Sequence, residues 1–135
     1  MLPELTAFID DWTTDTNSVK PLFLAMHNLL DRLEGVELEY KGRPGVSHSL
    51  RARHNAQKDR QLFVLVDIID DDPEERWLSV CFYADLVTDP EEKGDVVPGG
   101  LMGEDARCFD IDSPENETQA YMLARIKQAA AAAAR

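Results

Sequence analysis

Gln61–Ile69, QLFVLVDII, and Trp77–Leu86, WLSVCFYADL, decide the fold. In the first, Leu62, Val64, Val66 and Ile68 recur every second residue; in the second, Leu78, Val80, Phe82 and Ala84 do the same. Side chains alternate across a strand, so each segment presents one wholly apolar face, which must be buried. The acidic, proline-containing run Asp70-Asp71-Asp72-Pro73-Glu74-Glu75 between them reads as a turn. Two strands joined this way pair antiparallel, and their enrichment in β-branched and aromatic residues suits a central position.

Working outward, Val36, Leu38 and Tyr40 alternate with Glu37, Glu39 and Lys41, which predicts a strand with one wet face. Gly42-Arg43-Pro44-Gly45 is a turn, and Val46–His54 is the second arm of a hairpin. Thr88–Glu104 contains two prolines and four glycines and is expected to be a long loop with its tip at Pro98-Gly99-Gly100. Ala106–Ile111 makes a short fifth strand.

Helices flank the strands. Leu2, Leu5, Phe8, Ile9 and Trp12 are spaced as a short amphipathic helix requires. Val19, Leu22, Phe23, Met26, Leu29, Leu30 and Leu33 form a second stripe, with Ser18 as the expected N-cap, Pro21 in the first turn and Gly35 closing the helix. Ser113-Pro114-Glu115 predicts the start of a third helix, with Met122, Leu123, Ile126, Ala129 and Ala130 on one face and fraying expected over Ala129–Ala134. The fold class is α+β: an antiparallel sheet of about five strands packed by two N-terminal helices and one C-terminal helix, a single domain over residues 1–135.

The run Leu29–Tyr40, the hairpin Lys41–Arg53 and the strands Phe63–Asp67 and Leu78–Phe82 resemble, in their order, the YdhG-like family of small bacterial domains. No biochemical role is established for that family, and the resemblance assigns no functional residue.

Composition excludes several classes. A net charge of −12 opposes direct nucleic-acid binding, which needs clustered cations. No apolar run approaches the roughly 20 residues of a membrane helix, and Met1-Leu2-Pro3-Glu4 lacks the features of a signal peptide, so no membrane partner and a cytoplasmic location are expected. The charge is uneven: Lys41, Arg43, Arg51, Arg53, Lys58 and Arg60 fall within twenty positions accompanied by one acid, Asp59. Two cysteines, Cys81 and Cys108, without a CxxC spacing, are expected as buried, inert thiols, although neighbouring strands could pair them.

Nucleotide-binding, hydrolase and zinc-protease signatures are missing, and no cofactor is expected. Asp70-Asp71-Asp72 is explained by a solvated turn. Asp110-x-Asp112 opens like a calcium loop but carries Glu115 and Tyr121 where glycine and the distal glutamate belong. His48 and His54 project to one face of one strand but lie roughly 20 Å apart, too far to share a zinc ion.

The informative feature is the second face of the sheet. Opposite the apolar faces fall Phe63, Leu65 and Asp67, then Trp77, Ser79, Cys81 and Tyr83; with Val46, Leu50 and Ala52 inward, Ser47, Ser49, Arg51 and Arg53 join them. Arginine beside aromatic surface can hold a carboxylate or phosphate while a ring stacks on an attached group. Arg51, Arg53, Phe63, Asp67, Trp77, Ser79 and Tyr83 are therefore the candidate ligand-binding residues, for a small anionic ligand or a protein partner. Competing expectations are that the first helix or the 88–104 loop covers this face with Arg51 pairing Asp67, or that it forms a homodimer. A small enzyme using His48 or His54 as acid or base on an anionic substrate is the catalytic alternative. An acidic inhibitor or mimic docking on a basic partner is the third.

Overall fold

The computed structural model describes residues 1–135. In chain order it contains α1 (Pro3–Asp11), α2 (Lys20–Arg32), β1 (Val36–Arg43), β2 (Ser47–His54), β3 (Val64–Ile69), β4 (Trp77–Tyr83), a short 3-10 turn (Ala84–Leu86), β5 (Asp95–Leu101), β6 (Glu104–Ile111) and α3 (Thr118–Ala133). The strands form one antiparallel sheet in the order β1-β2-β3-β4-β6-β5. The fold is α+β as expected, with six strands. No helix is long and apolar enough to cross a membrane.

The sixth strand lies in the segment expected as a loop. Asp95–Val97 pair with Ala106–Cys108, and the register shifts between Val97 and Leu101. A strand carrying Pro98-Gly99-Gly100 can exist there because β5 is an edge, where a missing N–H and a bulge are tolerated. The hairpin turns instead at Met102-Gly103, both with positive φ (51° and 81°), the pattern that matches the twist of paired strands.

β3 and β4 pair as their alternation requires: Val64 with Phe82, Val66 with Val80, and Ile68 with Leu78. These residues, with Leu50 and Ala52 from β2 and Phe109 and Ile111 from β6, face the helices in a core of 26 buried residues; Val46, expected inward with Leu50 and Ala52, lies in the turn before β2 and is exposed. The alternation breaks just upstream of β3. Phe63, expected on the second face, is fully buried in the helix-side core, while Leu62 packs with Tyr83, Leu101 and Ala106 on the opposite side. The cause is backbone geometry: residues 62 and 63 precede the ladder, and the Phe63 N–H bonds to the Ala52 carbonyl (2.8 Å) as the chain enters it.

Helix ends also depart from expectation. Ser18 adopts a left-handed conformation (φ 56°), and the first α2 amides, of Val19 and Lys20, are satisfied by the Asp15 carboxylate (3.0 and 2.9 Å). An acid at a helix start also complements the helix dipole. At the other junction, Lys20 Nζ donates to the carbonyls of Ile9 and Trp12, closing the C-terminus of α1. The chain bends at Asp112-Ser113, and α3 begins only at Thr118. The alanine run is packed rather than frayed: Ala129, Ala130 and Ala133 are buried on the α3 face turned to the core, where small side chains permit close approach.

Truncating Phe63 to alanine should cost about 3–5 kcal/mol in urea denaturation, as expected for a large buried aromatic. Val96→Ser on the exposed side of β5 should stay within about 0.5 kcal/mol of wild type.

Candidate functional site

Register places the second face residue by residue. One row across the strands reads Arg43, Ser47, Ile69, Trp77; the next Lys41, Ser49, Asp67, Ser79, Asp110; the next Glu39, Arg51, Leu65, Cys81, Cys108. The core faces the three helices, leaving these rows without a helix layer, and β5 extends the sheet edge, with Leu101 at its end turned over the corner beside Tyr83. Leu65, Asp67, Ile69, Trp77, Ser79, Cys81 and Arg51 are all partly exposed.

Asp67 is the centre of this surface. It accepts a hydrogen bond from the Ser49 hydroxyl. Burial pushes its carboxyl above the usual range, and the Ser49 bond and the positive charges of Arg51 and Arg43 only partly offset that. Arg51 forms no ion pair with any carboxylate, and its Nε is buried without a partner. The expected Arg51–Asp67 pair is thus not formed, and the guanidinium stands free on the open face. Arg53 is occupied: it reaches Glu37 at 3.6 Å and donates to the Gln57 carbonyl at 3.0 Å.

Two candidates lie off this surface. Phe63 belongs to the helix-side core, as described above. Tyr83 is shut in at the corner, with the Arg60 guanidinium 3.9 Å above its ring; Arg60 is clamped by Asp85 (2.8 Å) and Glu104 (2.7 Å). That corner, closed by Leu62, Leu101 and Ala106, is the part of the second face that is covered. Lys41 and Arg43 were not among the candidates, although the inward alternation of Val36, Leu38 and Tyr40 already implied their placement.

Cys81 and Cys108 are not inert thiols. They stand directly opposite one another on β4 and β6, Cα–Cα 4.2 Å, and are joined as a disulfide on the open face.

The histidines lie elsewhere. β2 pairs with β1 in unbroken register from Ser47 to His54, so no bulge carries either histidine to the arginine side. His48 is buried under α1, stacked on Phe8 (3.7 Å between ring centres), with Nδ1 2.7 Å from the Tyr40 hydroxyl and Nε2 2.8 Å from Asp70. Gly42 makes room for this contact, since a Cβ there would sit 2.7 Å from the Tyr40 hydroxyl. Arg76 Nε completes the chain at 2.7 Å from Asp70 while its guanidinium lies over Phe8 and Trp12. Burial alone would raise the Asp70 carboxyl, but hydrogen bonds from Arg76, His48 and the Gly45 N–H outweigh it and hold the group below its usual value. Every polar member is satisfied inside the protein, which makes this a fastening between α1, two turns and the sheet.

A surface cavity of about 450 Å³ lies where β6 meets the start of α3. Glu91, Asp110, Asp112, Glu115 and Glu117 against one lysine give it the wrong sign for an anion. No group of three or more His, Cys, Asp or Glu side chains is arranged to hold a metal ion. Comparison with protein-family models, curated proteins and solved structures finds no match for this chain.

Two titrations test these assignments. Because the folded Asp70 pKa is lowered, its contribution is complete above the unfolded value near 4 and is lost as pH falls through the folded value. Asp70→Asn should therefore lose about 3 kcal/mol at pH 7, and the deficit should shrink below pH 4 in denaturant titrations. Asp67 has the opposite sign: its raised folded pKa means that ionisation opposes folding as pH rises above about 4. Asp67→Asn should melt higher than wild type at pH 7 and lose that advantage towards pH 4 in calorimetry.

Proposed function

We propose that this chain is a non-catalytic docking domain. Its open sheet face receives a protein segment that presents a carboxylate to Arg51 and an apolar side chain to Trp77, Ile69 and Leu65. The observation that carries the reading is the Arg51 guanidinium, unpaired on a face from which the helices are absent. A charged group without a partner, half-buried beside apolar surface, gains from a carboxylate that completes its hydrogen bonds. Asp67 supports the same reading, since a carboxylate held at a cost on an accessible surface is more readily explained by binding than by stability. Arg51, Asp67 and Trp77 lie along adjoining rows of the paired strands, a surface that suits an extended protein segment better than an enclosed small molecule.

A homodimer through the same face is the second reading. Lys41, Arg43 and Arg51 occupy the β1–β2 side and Asp110 the β6 side, so a two-fold axis would set unlike halves opposite each other. Against the catalytic alternative stand the enclosed position of His48 and the His54 ring, whose Nδ1 accepts the Ala56 N–H at 3.0 Å.

Selection from a random peptide display library should yield binders enriched in Asp or Glu next to apolar residues. In NMR titrations they should shift the amides of Arg51, Asp67, Trp77 and Ser79. Arg51→Glu should weaken them about tenfold or more, equivalent to about 1.4 kcal/mol. Binders that map to another surface, or that ignore Arg51→Glu, would reject the docking face. Sedimentation of the free chain as a concentration-dependent dimer, abolished by the same substitution, would select the second reading.

A further inference from the structure

We infer that Cys81 and Cys108 form a reversible dithiol–disulfide centre, opened by thiol reductants and closed by disulfide oxidants while the protein stays folded. The inference stands on the position of the pair and not on the docking reading.

The two residues face each other across neighbouring strands, on the side of the sheet that carries no helices, and both are partly exposed. Cys108 packs on one side against the Leu62, Tyr83, Leu101 and Ala106 corner; the other neighbours are Leu65 on β3, Ser79 with its hydroxyl 3.8 Å from the Cys81 sulfur, and Asp95 opposite Cys108 on β5. A thiol in solution can therefore reach the sulfurs without displacing a helix. The strands do not depend on the bond for their pairing. β4 and β6 are joined by backbone hydrogen bonds from Leu78–Ile111 to Tyr83–Ala106, and Val80, Phe82 and Phe109 bury the opposite side of the same strands in the core. Opening the bond leaves the ladder and the core in place, and the ladder keeps the sulfurs opposed for closure. Disulfides buried in a core lack the first property, and those that staple loops lack the second.

The exchange is balanced with thiols as the co-reactant. A thiolate attacks one cystine sulfur, the S–S bond breaks, and the released sulfur takes the electron pair and a proton. A second thiol attacks the resulting mixed disulfide, freeing the other cysteine and carrying the reductant away as its own disulfide. Two electrons and two protons pass to the protein, and a disulfide oxidant reverses both steps.

The test is equilibration of the native chain in reduced and oxidised glutathione mixtures, followed by acid quench, alkylation and counting of blocked thiols by mass spectrometry. Circular dichroism is recorded on the same samples. The expected result is complete interconversion between no free thiol and two, with an unchanged folded spectrum and a cooperative melt in both states. The double variant Cys81→Ser, Cys108→Ser should fold as well as the reduced wild type. A bond that opens only in denaturant, two thiols that remain free under excess oxidised glutathione, or unfolding on reduction or in the double variant would each overturn the assignment.

Discussion

The structure depends on the register of β3 against β4. Side chains alternate with period two, so a slip of β3 by one residue against β4 would turn Val64, Val66 and Ile68 to the open face and drive Leu65, Asp67 and Ile69 into the core. The register is held at one end by Asp70, just beyond β3. Its amide bonds to the Val46 carbonyl, and its carboxylate takes hydrogen bonds from Gly45, His48 and Arg76. One side chain thus ties the β1–β2 turn, the β3–β4 turn and, through Arg76 stacked on Phe8 and Trp12, the first helix. A buried charge is tolerable here because every oxygen is used, and removing a single partner would strand the rest.

The apolar face so fixed demands a cover, and the chain has only enough helix for one side. α2 and α3 lie together over the core and α1 closes its end, with Trp12 and Lys20 locking the junction between the first two helices. Nothing of comparable size remains for the opposite face. Its chemistry follows from the same alternation: serines, arginines, an aspartate and a few apolar groups are what a sheet surface carries when it meets water or a partner instead of a core.

Much of this was legible in the sequence because it rests on periodicity. The two central strands, the hairpin before them, the helical stripes and the membership of Arg51, Asp67, Trp77 and Ser79 on one face all follow from spacing. What was not legible rests on geometry across the chain. Phe63 and Leu62 exchange faces because they lie outside the ladder, where alternation no longer applies. Tyr83 has the right parity but meets Arg60 and Leu101, which arrive from distant segments. β5 was hidden because Pro98-Gly99-Gly100 is a loop signature everywhere except on a bulged edge. The cysteines had no motif to announce them, since a cross-strand pair is set by the register of β4 on β6 and not by sequence spacing.

The sheet's two edges are both protected against strand addition. An exposed edge strand invites pairing with any extended chain, and proteins blunt it with proline, bulges and charge. β5 carries all three, in Pro98, the shift between Val97 and Leu101, and Asp95. β1, the other edge, carries Glu37, Glu39, Lys41 and Arg43 in alternation, so an added strand would have to fit a row of charges. With strand addition disfavoured at both ends, the docking proposed for this chain would draw its selectivity from side chains on the face, where an unpaired guanidinium and a partly buried tryptophan discriminate more sharply than backbone hydrogen bonds can.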